Sequence, residues 1–356
     1  MSFNNFLIVL FVIATIVIVM AQIAKLGDMI TNLKKDPEKA EEESSTNLAL
    51  LFIVSGLLFV GLITWSYFNQ QPRFLPEASS ELGRDWDWLF YIVFSPPIVL
   101  IFFITHALLF WFVYKYSYKK GRVGFYFPES IKLEMIWTVV PAVVMIALVG
   151  LGLGKWIKAT SPPSEDAMHI RITGMQFKWM INYAGDDGEF GDRDIRKWGK
   201  EFGIQNLLGL DPTDAEGYDD IYPDEIVVPV NQEIAFDINA LDVLHDFYLP
   251  NFRIKMDAVP GVPTRIKIKP DVTTAQMREK LGDPDFEYEI ACAELCGTGH
   301  WNMKKVLRVV SQEEYDEWLA SQATAKAIYY QPLLDKLEKE KNLAMQGADS
   351  EETVLN

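Results

Sequence analysis

Cys292-Ala-Glu-Leu-Cys296-Gly-Thr-Gly-His300-Trp-Asn-Met303 places two thiols, an imidazole and a thioether at intervals of four, four and three residues. Soft donors crowded into one loop suit a soft metal ion, with copper first among the candidates. A second imidazole, His245, stands upstream in Asp242-Val-Leu-His-Asp-Phe-Tyr-Leu-Pro, which reads as the end of an apolar strand. Two shared thiolates with one imidazole per metal would hold two copper ions close enough to share an electron. Met303 would then be a weak ligand on one side and the backbone carbonyl of Glu294 a ligand on the other. Two simpler readings stay open at this point. Paired cysteines outside the cell commonly form a disulfide, and two cysteines with two histidines make a zinc site. Neither uses Met303. The chain holds only two Cys and four His, and no Cys-x-x-Cys-His run, which excludes a covalently attached c-type haem.

Around this loop the text is that of an all-β domain. From about Met168, short β-rich runs alternate with turn signals: His169-Ile-Arg-Ile-Thr, Gln176 to Tyr183, Glu225 to Val230, Glu233 to Ala240, Thr264 to Lys269, Phe286 to Ile290 and Lys304 to Val310. That density predicts a sandwich or barrel. The stretch 186–222 is rich in Gly and Asp, shows no clear strand and reads as a long inserted loop. Glu313-Glu-Tyr-Asp-Glu-Trp-Leu predicts a short helix, and the tail from Thr324 alternates charges in a helical manner and ends polar.

Ahead of the β-rich text, four apolar stretches are long enough to cross a bilayer core: Phe6–Ile23, Leu48–Trp65, Leu89–Val113 and Leu133–Ile157. The first lacks a positive leading region and exceeds the apolar length of a signal peptide, so it is read as a retained helix. Lys25, Lys34, Lys35 and Lys39 crowd the first connection, and Lys115, Lys119, Lys120 and Arg122 the third, whereas the second holds only Arg73 and Arg84. Lys and Arg gather on the cytoplasmic side, so both termini and the β-rich domain face outward. Among the remaining histidines, His106 falls in the third span and reads as a helix-packing residue, and His169 as a surface residue.

On the metal-binding loop, the Asp-Val-Leu-His segment, Lys255-Met-Asp-Ala-Val-Pro-Gly and the helix start Leu133-Glu134-Met-Ile-Trp137-Thr138-Val-Val-Pro141, the chain resembles subunit II of cytochrome c oxidase over about Leu89 to Leu319. The resemblance implies a multi-domain membrane protein in which transmembrane α-helices anchor an all-β, cupredoxin-like Greek-key barrel. It implies dinuclear copper ligands at His245, Cys292, Glu294, Cys296, His300 and Met303, with the Glu294 side chain reaching a magnesium ion at the junction with the catalytic subunit. It implies no haem in this chain, a large haem-copper subunit I that reduces oxygen, and a cytochrome c as electron donor. Glu134 matches the family's acid at the cytoplasmic mouth of a proton path, and a carboxylate at the edge of a span is a functional candidate on physical grounds too. A departure is Gly174-Met-Gln-Phe177-Lys-Trp179, where Phe177 occupies the position at which a tryptophan commonly receives the electron. Electron uptake is thus assigned to Phe177 or Trp179. Related possibilities are the copper domain of nitrous oxide reductase, which is not expected to carry this helix pair, and a membrane copper-storage or assembly protein. The subunit II of a quinol oxidase would lack the cysteines and histidines.

The expected organisation is two additional membrane helices in 1–67, an external linker 68–88, a helix hairpin 89–157, the copper domain 158–319 with its insertion 186–222, and a charged tail 320–356. The formal net charge of −16 sits almost wholly in the outer part, since residues 1–154 hold 12 acids and 11 bases. Residues 201–250 hold 12 acids and no base, which does not suit nucleic acid and would steer a basic partner. These features predict a bacterial inner-membrane protein with its copper domain in the periplasm, surrounded by membrane lipid, and with a donor cytochrome bound or tethered near Phe177 and the insertion.

Overall fold

The computed structural model describes residues 15, 18–27, 29–30, 36–70, 75–197, 206, 209–211, 213–332 and 334–342. It divides into two compact units, Met1–Phe74 with Tyr91–Leu148, and Leu75–Phe90 with Val149–Asn356.

The first unit is helical. Among the described residues three helices are long and apolar enough to cross a membrane, Pro37–Asn69, Glu81–Lys115 and Ile131–Thr160. Each exceeds the roughly 20 residues a bilayer core requires. The first expected span, Phe6–Ile23, lies mostly outside the described residues; α1 (Ile18–Gly27) covers its end. Helix α2 (Pro37–Gln70) packs on α4 (Ser95–Lys115) through Gly56, where an added Cβ would stand 2.2 Å from the Phe110 ring. His106 donates from Nδ1–H to the Phe102 carbonyl of its own helix (2.8 Å) and lies among the rings of Phe59, Phe102 and Phe110, as a packing residue does.

The expected linker is in part helical. Helix α3 (Glu81–Trp88) is capped by Ser80, whose hydroxyl accepts from Gly83 N, and runs through a π turn at Leu89–Phe94 into α4. Pro96 and Pro97 supply no N–H to the carbonyls four residues back, which is the local reason for widening the turn there. Helix α5 (Ile131–Thr160) ends one short connection before the β domain.

That domain is a two-sheet sandwich. Strands β1 (Met168–Met175), β2 (Lys178–Tyr183), β4 (Ile234–Ala240) and β7 (Thr264–Ile268) form one sheet, in the order β2-β1-β4-β7. The other, in the order β3-β9-β8-β5-β6, comprises β3 (Ile226–Pro229), β5 (His245–Leu249), β6 (Ile254–Ala258), β8 (Tyr288–Cys292) and β9 (Lys304–Val310). The pairs β1–β4 and β3–β9 are parallel and the others antiparallel. Alternation sets the faces: Ile234, Phe236 and Ile238 are buried while Asp237 and Asn239 between them are not. Across the core, Phe247 of one sheet meets Phe236 and Trp179 of the other at 5.0 and 5.6 Å between ring centroids. Helices α6 (Thr274–Leu281) and α7 (Gln312–Ala320) each start on a reciprocal capping box, Thr273 with Gln276 and Ser311 with Glu314.

The insertion is tied down. Ile221 bridges to Tyr183 on one side and Thr324 on the other, covering the free edge of β2. Leu210, Ala325 and Tyr330 form a second small core with Met180, Tyr218, Tyr222 and Tyr329, so the segment after residue 320 packs at least as far as Tyr330. His169 is not a mere surface residue, since it meets Asp237 at 3.0 Å, and Asp237 also binds Arg265.

Asp220, in the insertion, is fully buried and accepts from Asn182 Nδ2, Gly191 N and Tyr222 Oη at 3.2–3.3 Å. Burial outweighs these bonds and pushes its pKa up to about 6, from an ordinary 3.8. Between those values the folded chain keeps a proton that the unfolded chain has released. Asp220 therefore contributes stability that is complete below the ordinary carboxylate range and is lost as pH rises through about 6. Relative to Asp220→Asn, the wild type should lose on the order of 2 kcal/mol between about pH 4 and pH 7. Thermal unfolding of both chains across that range checks this, and a difference that does not vary with pH would contradict it.

Candidate metal centre

Strand pairing brings the donor residues together. Cys292 closes β8 opposite Phe247 of β5, and its N–H donates to the Met303 carbonyl at 3.2 Å, where the chain returns to β9. Residues 293–303 form the loop between these ends, and a 3₁₀ turn at His300–Asn302 reverses it. His245 is the first residue of β5 rather than its last. The reason is Asp242, whose carboxylate accepts from Gln176 N (2.7 Å) and Val243 N (2.7 Å), fixing a turn before the strand begins.

The resulting cluster has two halves. Cys292 Sγ lies 3.9 Å from His245 Nδ1 and 3.2 Å from the Glu294 carbonyl oxygen. Cys296 Sγ lies 3.6 Å from His300 Nδ1 and 3.9 Å from Met303 Sδ. The sulfurs stand 3.9 Å apart, and both cysteines are free. A disulfide requires about 2.05 Å, which excludes that reading. Two thiolates about 2.3 Å from one shared metal, at a tetrahedral angle, stand about 3.8 Å apart, so the spacing fits a shared ion. Among the described residues, His245, Cys292 and Cys296 form a set with all donor atoms within 4.8 Å of one another, and His300 falls outside it. One tetrahedral zinc would need all four around a single point. The soft-donor division into His245 with Cys292, and His300 and Met303 with Cys296, fits two ions sharing two sulfurs.

His245, Cys292, Cys296 and Met303 are buried and His300 is half-buried, while the Glu294 side chain is exposed. Burial, then the neighbouring Cys292 thiol, pushes the Cys296 thiol up to about 11, so metal uptake must displace protons. Burial would raise Asp242 also, but hydrogen bonds from Gln176 N, His245 and Val243 N hold it below the usual carboxylate range. Asp242 Oδ1 takes His245 Nε2 at 2.8 Å, which leaves Nδ1 turned to the sulfur. Gln176 clamps the loop with a 2.5 Å bond from Nε2 to the Cys296 carbonyl. Asp242 and Gln176 are the residues that sequence reasoning missed; a carboxylate three positions before a ligand-type histidine was the available signal.

Phe177 and Trp179 separate in role. Trp179 is buried, with its edge toward His245 (5.9 Å) and Phe247. Phe177 is partly exposed and lies over the loop glycines, where a Cβ on Gly299 would stand 2.5 Å from the ring. Leu244, Leu295 and Trp301, the last two more than three-quarters exposed, complete an apolar rim. Glu134 is exposed in the first turn of α5.

Comparison with known proteins finds two family models on the chain. That for the transmembrane domain of cytochrome c oxidase subunit II matches residues 64–153, and that for the periplasmic domain of the same subunit matches 168–310. Helix α2 lies mostly ahead of the first match. The alternative cytochrome c oxidase subunit 2 of Bradyrhizobium diazoefficiens is 34% identical over 272 residues, 75% of this chain and 90% of that protein. The probable cytochrome c oxidase subunit 2 of Rickettsia bellii is 30% identical, covering 76% and 94%. Cytochrome c oxidase subunit 2 of Saccharomyces cerevisiae is 30% identical, covering 63% and 83%.

The position of Asp242 yields a test. Asp242→Ala frees the His245 ring and should weaken metal retention about 10–100-fold. Metal content after graded chelator challenge measures this, and retention equal to wild type would remove Asp242 from the centre.

Proposed function

This chain belongs to the cytochrome c oxidase subunit II family, and we propose that His245, Cys292, Cys296, His300, Met303 and the Glu294 carbonyl hold its two copper ions. What carries the assignment is the division of these donors into two halves about a sulfur pair 3.9 Å apart. The chain is a component of the oxidase that takes electrons from cytochrome c and delivers them to the haem-copper subunit that reduces O₂ to water. When bound, the copper pair would supply a one-electron carrier, with Cys292, Cys296, His245, His300, Met303 and the Glu294 carbonyl as its donors. The residues around it restrict movement. Asp242 fixes the His245 ring, Gln176 fixes the loop at Cys296, and the Phe177 ring over Gly297 and Gly299 closes its outer side. A shell that moves little on reduction keeps electron transfer fast.

Two carboxylates take further roles in this reading. The exposed Glu294 side chain would meet magnesium at the junction with the catalytic subunit, and Glu134 would stand at the cytoplasmic mouth of a proton path. The basic connection between α4 and α5 supports a cytoplasmic position for that edge, and hence a periplasmic β domain. The domain limits above, with two additional helices before residue 68, complete the proposal.

In the purified membrane complex each chain should carry two copper ions with a delocalised mixed-valence electron-spin signal. Cys296→Ser should abolish the signal and donor oxidation, whereas Met303→Leu should keep both ions and shift the potential. A single zinc per chain would overturn the copper assignment. Glu134→Ala should leave copper reduction unchanged and slow steady-state turnover; unaltered turnover at every accessible pH would make Glu134 an interfacial acid only.

In this reading the donor cytochrome c docks near Phe177 and the insertion and is held to the complex there, with the exposed Leu244, Leu295 and Trp301 as apolar contacts. Oxidation of such a bound donor should be nearly independent of ionic strength, while oxidation of added soluble cytochrome should fall steeply as salt shortens the Debye length to about 10 Å at 0.1 M. A complex that retains no cytochrome and uses only a diffusing donor would refute the tether.

A further inference from the structure

At the foot of the β domain lies a cavity of about 410 Å³ whose lining includes Glu81, Lys158, Glu233, Lys267, Lys269 and Asp271. We propose that it binds the phosphate group of a membrane phospholipid.

Depth is the first argument. Lys158 follows Ile157, an exposed apolar residue at the end of the α5 span, and Trp156 beside it is also exposed. Trp88, at the end of α3, is exposed too. Tryptophan and lysine at the ends of spans mark the headgroup layer. That layer is about 5–7 Å thick on each side of the hydrocarbon core. The cavity wall formed by Lys158 thus stands where phosphates are.

Charge is the second argument. The cations of this region are matched one by one, with a single exception. Lys155 pairs with Asp85 at 2.7 Å, Lys158 with Glu81 at 3.0 Å, Lys267 with Glu233 at 3.6 Å, and Arg84 with Asp271. Lys269 has no ion pair among the described residues and is exposed on the cavity wall. It follows β7, an edge strand whose outward residues include Arg265 and Lys267. Charged side chains on an edge strand discourage further pairing, but that purpose does not require a cavity or an ammonium left over within it. With Glu81, Glu233 and Asp271 of the lining already paired to Lys158, Lys267 and Arg84, the Lys269 ammonium is the one charge left over for an anion in this cavity. The depth makes a phosphodiester the abundant one, and Lys158 can turn toward it because both it and its partner Glu81 are exposed.

The same chemistry serves inorganic phosphate, so the test has two arms. Full-length chain in detergent is titrated with a phosphatidylglycerol, and separately with inorganic phosphate, and occupancy is read by native mass spectrometry. Lys269→Gln should weaken lipid occupancy about fivefold, the share of one lysine near a membrane surface, and Lys269→Arg should restore it. Lys269 is exposed and unpaired, so its replacement does not threaten the fold, and an unchanged metal-centre spectrum verifies that. Lysine-dependent occupancy in the lipid arm upholds the proposal. Occupancy in the inorganic phosphate arm alone, or lipid occupancy that Lys269→Gln leaves unaltered, overturns it.

Discussion

Two buried thiols held 3.9 Å apart without bonding to each other constrain everything around them. Free cysteines so close tend to oxidise or to separate, and burial drives them toward the neutral form, as at Cys296. The separation is imposed by β-sheet register. Cys292 is fixed by its pairing opposite Phe247 and by its bond to the Met303 carbonyl, and Cys296 by the bond from Gln176. These anchors come from both sheets and from the loop itself, so the sulfur pair depends on how the two sheets close. That closure rests on Phe236, Phe247 and Trp179, whose rings cross the core directly behind His245.

The crowding of donor-type side chains was legible in the sequence because most of them are contiguous. Four side-chain donors fall within twelve residues, and no packing knowledge is needed to see that a loop can gather them. His245 was legible as a donor but was placed at the wrong end of its strand. Its apolar neighbours Val243 and Leu244 look like strand residues, yet both are exposed on a turn whose shape is set by Asp242. Alternation cannot distinguish an exposed apolar rim from a buried strand face.

Other differences have the same origin, tertiary contacts overriding local signals. The insertion is polar and glycine-rich, which reads as a loop, but Tyr218, Tyr222 and Leu210 find Tyr330 from a segment a hundred residues away. The tail reads as a charged helix because its tyrosines are few, and those few are the anchors. Helix α3 was hidden because Glu81 to Asp87 is polar, whereas Ser80 supplies the cap and Arg253 supplies a partner for Asp87 at 2.7 Å. His169 looked superficial because its partner Asp237 lies 68 residues on, across a parallel pairing that sequence spacing does not disclose.

The acid excess of the β domain takes a different meaning once the pairs are known. At the foot of the domain four acids are matched by Lys155, Lys158, Lys267 and Arg84, which leaves the exposed Lys269 without an ion pair among the described residues. Residues 201–250, with 12 acids and no base, carry much of the excess instead. A uniformly acidic domain would be repelled by anionic headgroups, and its attachment would rest on the helices alone. A patch of matched ion pairs beside an acid-rich stretch divides one domain into a nearly neutral surface and a strongly negative one. The long-range field comes from the unmatched acids, and the ion pairs add little to it because opposite charges a few ångströms apart cancel at a distance.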